Sequence, residues 1–331
     1  MMKILITYLV LLFAFTSCFE EDEMVPPHET GNLTVGEVEL TETYKYQVFF
    51  DLETNKEVKQ NLISEWDLGF ETSDSGWHII LNTSRMMLAG NTGKTDFEAV
   101  KNNNGATMNF DPSHGNLDSA AIGNWYNISA GEPVSKEFVY VIDRGTDEDF
   151  NPIGEKKVKF SLQDENNYVV RFANMNGSDE KTVVISKDTA LNFVCFSFEK
   201  GIVEIEPDKN SWDLQFGKYS TLLFTDVGDP YPYLVTGVLL NPYKTQAAAD
   251  TTHLFDEINF EIAETQNLVN QKDIIGYEWK EYDFDNGMYT VMPEKIYILK
   301  NRVGYYYKLR FIDYYNSTGE QGYPTFEFLR L

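Results

Sequence analysis

Apolar and polar side chains alternate with period two in one segment of this chain after another. Trp66, Leu68 and Phe70 fall on one face of a predicted strand, and Trp212, Leu214 and Phe216 repeat the arrangement. Turn signals separate such segments: "NNNG" at 102–105, "MNGSD" at 175–179, "FDNG" at 284–287 and "STGEQG" at 317–322. Helical spacing is rare. "TQAAADTTHLFDEI" at 245–258, with Ala248, Leu254, Phe255 and Ile258 on one side, predicts a short helix, and "AVKNN" at 99–103 is its weaker counterpart. The expected architecture is mostly antiparallel β, with one short helix in each half.

The two Trp-Asp-Leu stretches, "WDLGF" and "WDLQF", register the halves against each other. Upstream, "VFFDLETN" (48–55) matches "VCFSFEKG" (194–201), and both valines lie 18 residues before the Trp (66 minus 48, 212 minus 194). Downstream, "DFEAV" (96–100) matches "LFDEI" (254–258), "IGNW" (122–125) matches "IGYEW" (275–279), and "FVYVIDR" (138–144) matches "KIYILKN" (295–301). A last block pairs "VRFANMNGS" (170–178) with "LRFIDYYNS" (309–317). Six blocks in one order describe a duplication whose unit is domain-sized, so each copy can form a core of its own. The expected layout is a signal peptide over 1–17, a tether over 18–34, copy one over 35–187 and copy two over 188–331.

Composition agrees with strands, since Phe (23) and Tyr (20) are abundant. A net charge of −25 repels polyanions, which argues against nucleic-acid partners. At the N-terminus, Lys3 precedes an apolar run over 4–15 that is too short to span a bilayer, followed by Thr16, Ser17 and Cys18. This is a lipoprotein-type signal: Cys18 is the expected acylated residue, and acyl chains partition into lipid at roughly 0.8 kcal/mol per buried CH₂. The following "FEEDEMVPPHETG" (19–31) is acidic and then Pro-rich, and is read as a disordered tether. Cys195 is the one other cysteine, so no disulfide framework is possible.

The second copy resembles the HmuY-like family of haem-binding outer-membrane lipoproteins of Bacteroidota. The residues that carry the likeness are "WDLQFGKYS" (212–220), "PYLVTGVLL" (232–240), "FDNGMY" (284–289) and the closing "YKLRFIDYYNSTGEQGYPTFEF" (307–328), with "WDLGF" and "GKTDFEAV" (93–100) in copy one. The resemblance implies an all-β fold of hairpins and transfer of haem to a TonB-dependent receptor, and the acidic run directly after Cys18 resembles the surface-export signal of Bacteroidota lipoproteins, which implies a place outside the outer membrane. It also implies that His or Met side chains clasp the iron. The family's best-known form has a His just before the Gly of the late hairpin, where this chain has Asn286. Met288 and Met292 lie close by and can replace it, because a thioether also binds haem iron. The second ligand lies about thirty residues upstream, where His253 stands. Met86 and Met87 are further candidates in copy one.

Each candidate has a plainer reading: His253 as a partly exposed helix residue, Met86 and Met87 as core or hairpin filler, His78 as a solvent-facing neighbour of a buried Trp77, and His114 and His28 as loop residues. Asp147, Asp149 and Asn151 are spaced like oxygen ligands of calcium, although Pro152 occupies the place of the loop glycine; an exposed acidic hairpin tip is the alternative. No nucleophile elbow, zinc helix, phosphate loop or cysteine pair is present, so an enzyme is not expected. Two further functions stay open. One is a non-haem surface binding module that holds a glycan, peptide or other nutrient on tyrosines such as Tyr231, Tyr233, Tyr305, Tyr306 and Tyr307. The other gives one copy no ligand and only a packing role.

Overall fold

The computed structural model describes residues 30–331. The expected signal peptide, Cys18 and most of the tether lie outside the described residues. The period-two segments become strands, and every strand pairing is antiparallel. They form two bodies, each a five-stranded sheet facing a four-stranded one across a dry core.

In the first body the larger sheet runs in the order Lys181–Ser186, Asn167–Asn174, Glu155–Asp164, Val139–Asp143, Leu88–Asn91. Its inner residues, among them Tyr140, Phe160, Tyr168 and Phe172, pack against Leu68, Phe70 and Ile79 of the smaller sheet. In the second body the order is Thr34–Glu37, Gln321–Arg330, Tyr306–Tyr315, Ile296–Lys300, Gln246–Asp250. Tyr297, Leu309, Phe311 and Phe326 there meet Val48, Phe50, Leu214 and Phe216.

The smaller sheets show that the copies exchange their leading hairpins. The hairpin Phe193–Ser197 with Gly201–Val203, which opens copy two, completes the first body: Leu68 stands opposite Phe196. The hairpin Tyr46–Asp51 with Lys56–Leu62, which opens copy one, completes the second: Leu214 stands opposite Phe50. Adding 146 to 68 and to 50 gives 214 and 196, so the exchange is reciprocal. The position 187/188 is therefore a boundary of the sequence repeat that the sheets cross. By strands, the first body is built from 68–203 and the second from 34–62 together with 214–331.

Buried polar groups fix this arrangement. Asp67 and Asp213 of the two Trp-Asp-Leu stretches have no solvent exposure. Asp67 accepts from Arg144 Nε at 2.9 Å and Arg85 Nη1 at 3.1 Å, and Asp213 meets Arg302 Nη1 at 2.9 Å. Asn82 and Asn241 donate from their side-chain amides to the backbone carbonyls of Trp66 and Trp212. Trp66 and Trp212 themselves are buried with Phe49, Cys195 and Ile205 in a separate cluster at the seam, not in either body's core.

Two expectations are corrected. The stretch 245–258 is not a helix: Gln246–Asp250 is an edge strand paired with Ile296–Lys300, and a 3₁₀ turn follows at Phe255–Glu257. Ala247, Ala248 and Ala249 pair residue for residue with Leu299, Ile298 and Tyr297, so tertiary pairing overrides the helix propensity of alanine. The α-helix Phe260–Glu264 comes after it, and the counterpart at 99–103 is bends and turns.

The last sequence block is also one strand out of register. Lys308 and Lys157 are the equivalent residues, each buried next to a core position (Leu309, Val158). Lys308 Nζ donates to the carbonyls of Phe255 and Ile258, and Lys157 Nζ to those of Phe97 and Val100. "LRF" at 309–311 therefore matches "VKF" at 158–160, not "VRF" at 170–172.

Candidate functional site

Two hairpins project from the second body, and the longer has no full counterpart in the first. The longer pairs Leu214–Phe224 with Pro230–Leu240 at every position. Its neighbour Tyr46–Asp51 reaches only Leu214, Gln215 and Phe216; residues 218–221 are then buried against the first body, where Ser84 Oγ donates to the Lys218 carbonyl, and the strand is exposed from Leu222 outward. Thr225 and Asp229 close its turn. Leu222, Phe224, Val227, Tyr231 and Tyr233 are exposed on this finger.

The shorter finger pairs Lys280–Asp283 with Met288–Val291. Its turn is set by Asp283, whose carboxylate accepts from the Asp285 amide and from Asn286 Nδ2, and by Gly287 at φ +68°. Asn286, at the place of the family's histidine, is thus committed to shaping the turn. Phe284 at the tip is 89% exposed and Met288 53%. Tyr282 packs edge-on against Phe284 and at a tilt against Tyr289, with centroids 5.1 and 4.9 Å apart.

The fingers meet at their base. Lys280 is buried there, and its Nζ donates to the Thr236 carbonyl of the long finger at 2.5 Å. The ammonium lies over the rings of Trp279, Tyr314 and Tyr289 at 4.4, 4.9 and 5.3 Å. Loss of hydration pulls its pKa down to about 7. Burial raises the Tyr289 phenol, and the nearby hydroxyls of Tyr233, on the long finger, and Tyr282, on the short one, add to the shift. The result is an aromatic cluster at the base of the fingers around a lysine whose charged form burial disfavours. The sequence reading passed over Lys280; its only signal is that it follows Trp279 where Tyr126 follows the matched Trp125.

The structure does not bring the sequence-derived ligand candidates together. His253 Nδ1 is held at 2.8 Å by Asp250, just before Phe255 and Ile258, which pack on Ile296 and Ile298. The short finger's Tyr289 and Val291 pack with Tyr297 and Leu299, the other face of that same strand. His253 and Met288 therefore lie on opposite sides of the five-stranded sheet. Strand alternation also turns Met288 away from the Tyr282–Tyr289 face. Met292 follows the finger, half-buried, its amide bonded to the Trp279 carbonyl.

In the first body Met87 is 1% exposed in the core, and Met86 takes a left-handed conformation after a 3₁₀ turn. His78 faces outward beside buried Trp77, as alternation requires, and its hydrogen bond to Glu71 raises its pKa. Asp147 Oδ1 is occupied by the amides of Asp149 and Asn151 and by Asn151 Nδ2, so the calcium-like spacing folds upon itself. Among the described residues, no group of three or more His, Cys, Asp or Glu stands where it could hold a metal. Of the corresponding hairpins of the first body, Leu68–Glu71 with Ile79–Leu81 is much shorter than the long finger, whereas Tyr126–Ser129 with Glu132–Ser135 has the same four-pair ladder as the short finger and a tighter turn at Ala130 and Gly131 in place of the aromatic tip.

Comparison with known proteins gives one strong match. The model of the family described as "HmuY protein" matches residues 43–185 and again 189–328. No curated protein matches the chain. Among solved structures, apo PinO from Porphyromonas gingivitis is 11% identical, covering 91% of this chain and 98% of its own, with a TM-score of 0.27. The apo HmuY analog of Tannerella forsythia is 12% identical, covering 92% and 98%, with a TM-score of 0.22.

Proposed function

This chain belongs to the HmuY family, and from that premise we propose that it is a cell-surface lipoprotein that binds haem or a related porphyrin between its fingers. Cys18 is the proposed lipid anchor, a TonB-dependent outer-membrane receptor the proposed recipient, and binding rather than catalysis the proposed role. Among the described residues, no helix is long and apolar enough to cross a membrane.

The observation that supports this reading is the exposed aromatic cluster of Tyr231, Tyr233, Tyr282 and Phe284 on the two fingers of the second body. A porphyrin is a large flat apolar ring, and edge or face contact with such side chains gains about 0.5–1.5 kcal/mol per pair beyond area burial. Met288 directly follows the tip turn and is half-exposed on the face away from Tyr282 and Tyr289, so a ring must extend past the tip to meet its thioether. It is the donor we propose for one axial position.

Titration of the mature protein with haemin in ferric and ferrous states tests the proposal. A Soret shift is expected, with affinity at least tenfold weaker in Tyr233→Ala/Phe284→Ala, and the ferrous shift lost in Met288→Ala, because thioethers favour ferrous iron. Absence of any Soret change in both states overturns the haem reading. The same exposed rings would then favour a non-haem ligand, a glycan, peptide or other nutrient held by stacking.

A further inference from the structure

A cavity of about 820 Å³ lies at the seam between the two bodies, built by the hairpin exchange and bounded on one side by the base of the long finger at Gln215, Tyr219 and Leu239, away from its exposed outer rings. Its volume falls within the range of small-molecule sites, which favour domain interfaces. Its apolar end is formed by Phe49, Trp66, Ile80, Cys195, Ile205 and Trp212. Its polar end carries Asp111, Glu206 and Lys272.

These three groups are incompletely used by the protein. Asp111 accepts one bond at each oxygen, from the amides of Leu81 and Ala121, and Glu206 accepts only from Asn192 and the Phe193 amide. Both carboxylates keep open lone pairs. Burial raises them, to about 6 for Asp111 and about 7 for Glu206. Lys272 is attracted by Glu206 and Asp111, yet its ammonium closes no ion pair or hydrogen bond among the described residues. Glu206 and Lys272 sit deep among protein atoms while keeping accessible surface, and that surface faces the cavity.

The lysine is held in place from the other body. Its amide donates to the His114 carbonyl at 3.0 Å. Its stem lies on Gly115, at φ +77°, where a Cβ would come within 2.4 Å of Lys272 Cδ. Ser113 and Asp273 join the same two loops at 2.5 Å.

We infer that this cavity is a second binding site, for a short peptide with free termini and apolar side chains. The side chains fill the aromatic end, the ammonium pairs with Glu206 and Asp111, and the carboxylate pairs with Lys272. A zwitterion meets all three groups at once, whereas a ligand with a single charge leaves a buried partner unpaired.

The test is calorimetry on the mature protein with three probes: Phe-Phe, N-acetyl-Phe-Phe and Phe-Phe-amide. Phe-Phe is expected to bind one to one, and each blocked form at least tenfold more weakly. Glu206→Gln, which keeps the shape and, through its one oxygen, the Asn192 and Phe193 backbone amides, should erase the penalty for acetylation. Lys272→Met should erase the penalty for amidation, with circular dichroism verifying the fold of both. No heat with any probe means that the cavity holds only solvent and overturns the inference. Equal binding of all three probes, or variants that keep the wild-type discrimination, overturns it as well. Haemin binding at the fingers is a separate measurement, so neither reading can fail on account of the other.

Discussion

The carboxylate of Asp67 accepts a hydrogen bond from the backbone amide of Phe198 at 2.9 Å, and that amide belongs to the hairpin lent by the other copy. The partner relationship is Asp213 with the Leu52 amide at 3.1 Å. Since 198 minus 52 and 213 minus 67 are both 146, one contact is made twice with the copies interchanged. The Trp-Asp-Leu motif is thus the latch of the exchange: its Leu pairs with the guest strand, its Asp bonds the end of that strand, and its Trp seals the seam.

Cutting one latch should weaken the whole molecule. Asp67→Ala leaves Arg85 and Arg144 facing each other, buried, with only the outer Glu199 left to Arg144. Uncompensated buried charge costs about 3–5 kcal/mol. Urea unfolding followed by far-UV circular dichroism and by tryptophan fluorescence should show one shared transition, moved to lower urea. Two separate transitions, with the second body's unchanged, would contradict the interlock.

The exchange also predicts which fragments fold. Residues 188–331, copy two by sequence, lack the guest hairpin at 46–62 and keep a hairpin at 193–203 with no sheet to join. That fragment is expected to give an aggregated or poorly dispersed ¹H–¹⁵N spectrum. Residues 63–205 contain every strand of the first body and should give a dispersed one. The same logic rules out testing ligand binding on copy two by itself, since deletion through 187 removes part of the second body.

The repeat was legible in the sequence because its markers are large and buried: Trp125 and Trp279, or Phe97 and Phe255, can occupy only equivalent core positions. The exchange was not. "VFFDL" and "VCFSF" alternate alike, so either hairpin suits either sheet, and the choice is made by tertiary contacts such as Asp67 to Phe198. The register error at "LRF" arose because Lys is almost never fully buried, so Lys157 and Lys308 looked like surface residues. At the fingers, alternation placed the exposed rings, but no local pattern could show that the sheet separates His253 from Met288.

Buried Lys157 and Lys308 should matter for stability although neither forms a close ion pair. Lys308→Met keeps the apolar stem but leaves the Phe255 and Ile258 carbonyls without their donor. Buried unsatisfied acceptors cost about 1–3 kcal/mol each. A lowered melting temperature with an unchanged haemin affinity is expected, because these carbonyls lie on the sheet face away from the fingers. A melting temperature equal to that of the wild type would show that water replaces the ammonium at no cost.

Lys280 gives a pH dependence of defined sign. In the unfolded chain it titrates near 10.5, and in the folded protein near 7, because burial removes its hydration. Below about 7 both states hold the proton, and above about 10.5 neither does. Between these limits the unfolded state binds more protons, so this group's contribution to stability rises with pH, at a slope approaching 1.4 kcal/mol per unit. Lys280→Met removes the slope while keeping the stem among Trp279, Tyr289 and Tyr314. Melting temperatures of the two proteins, measured in parallel from pH 6 to 9, cancel the titration of every other group. The wild type should gain on the variant above pH 7, and curves that stay parallel would mean that Lys280 keeps its charge inside the ring of aromatics.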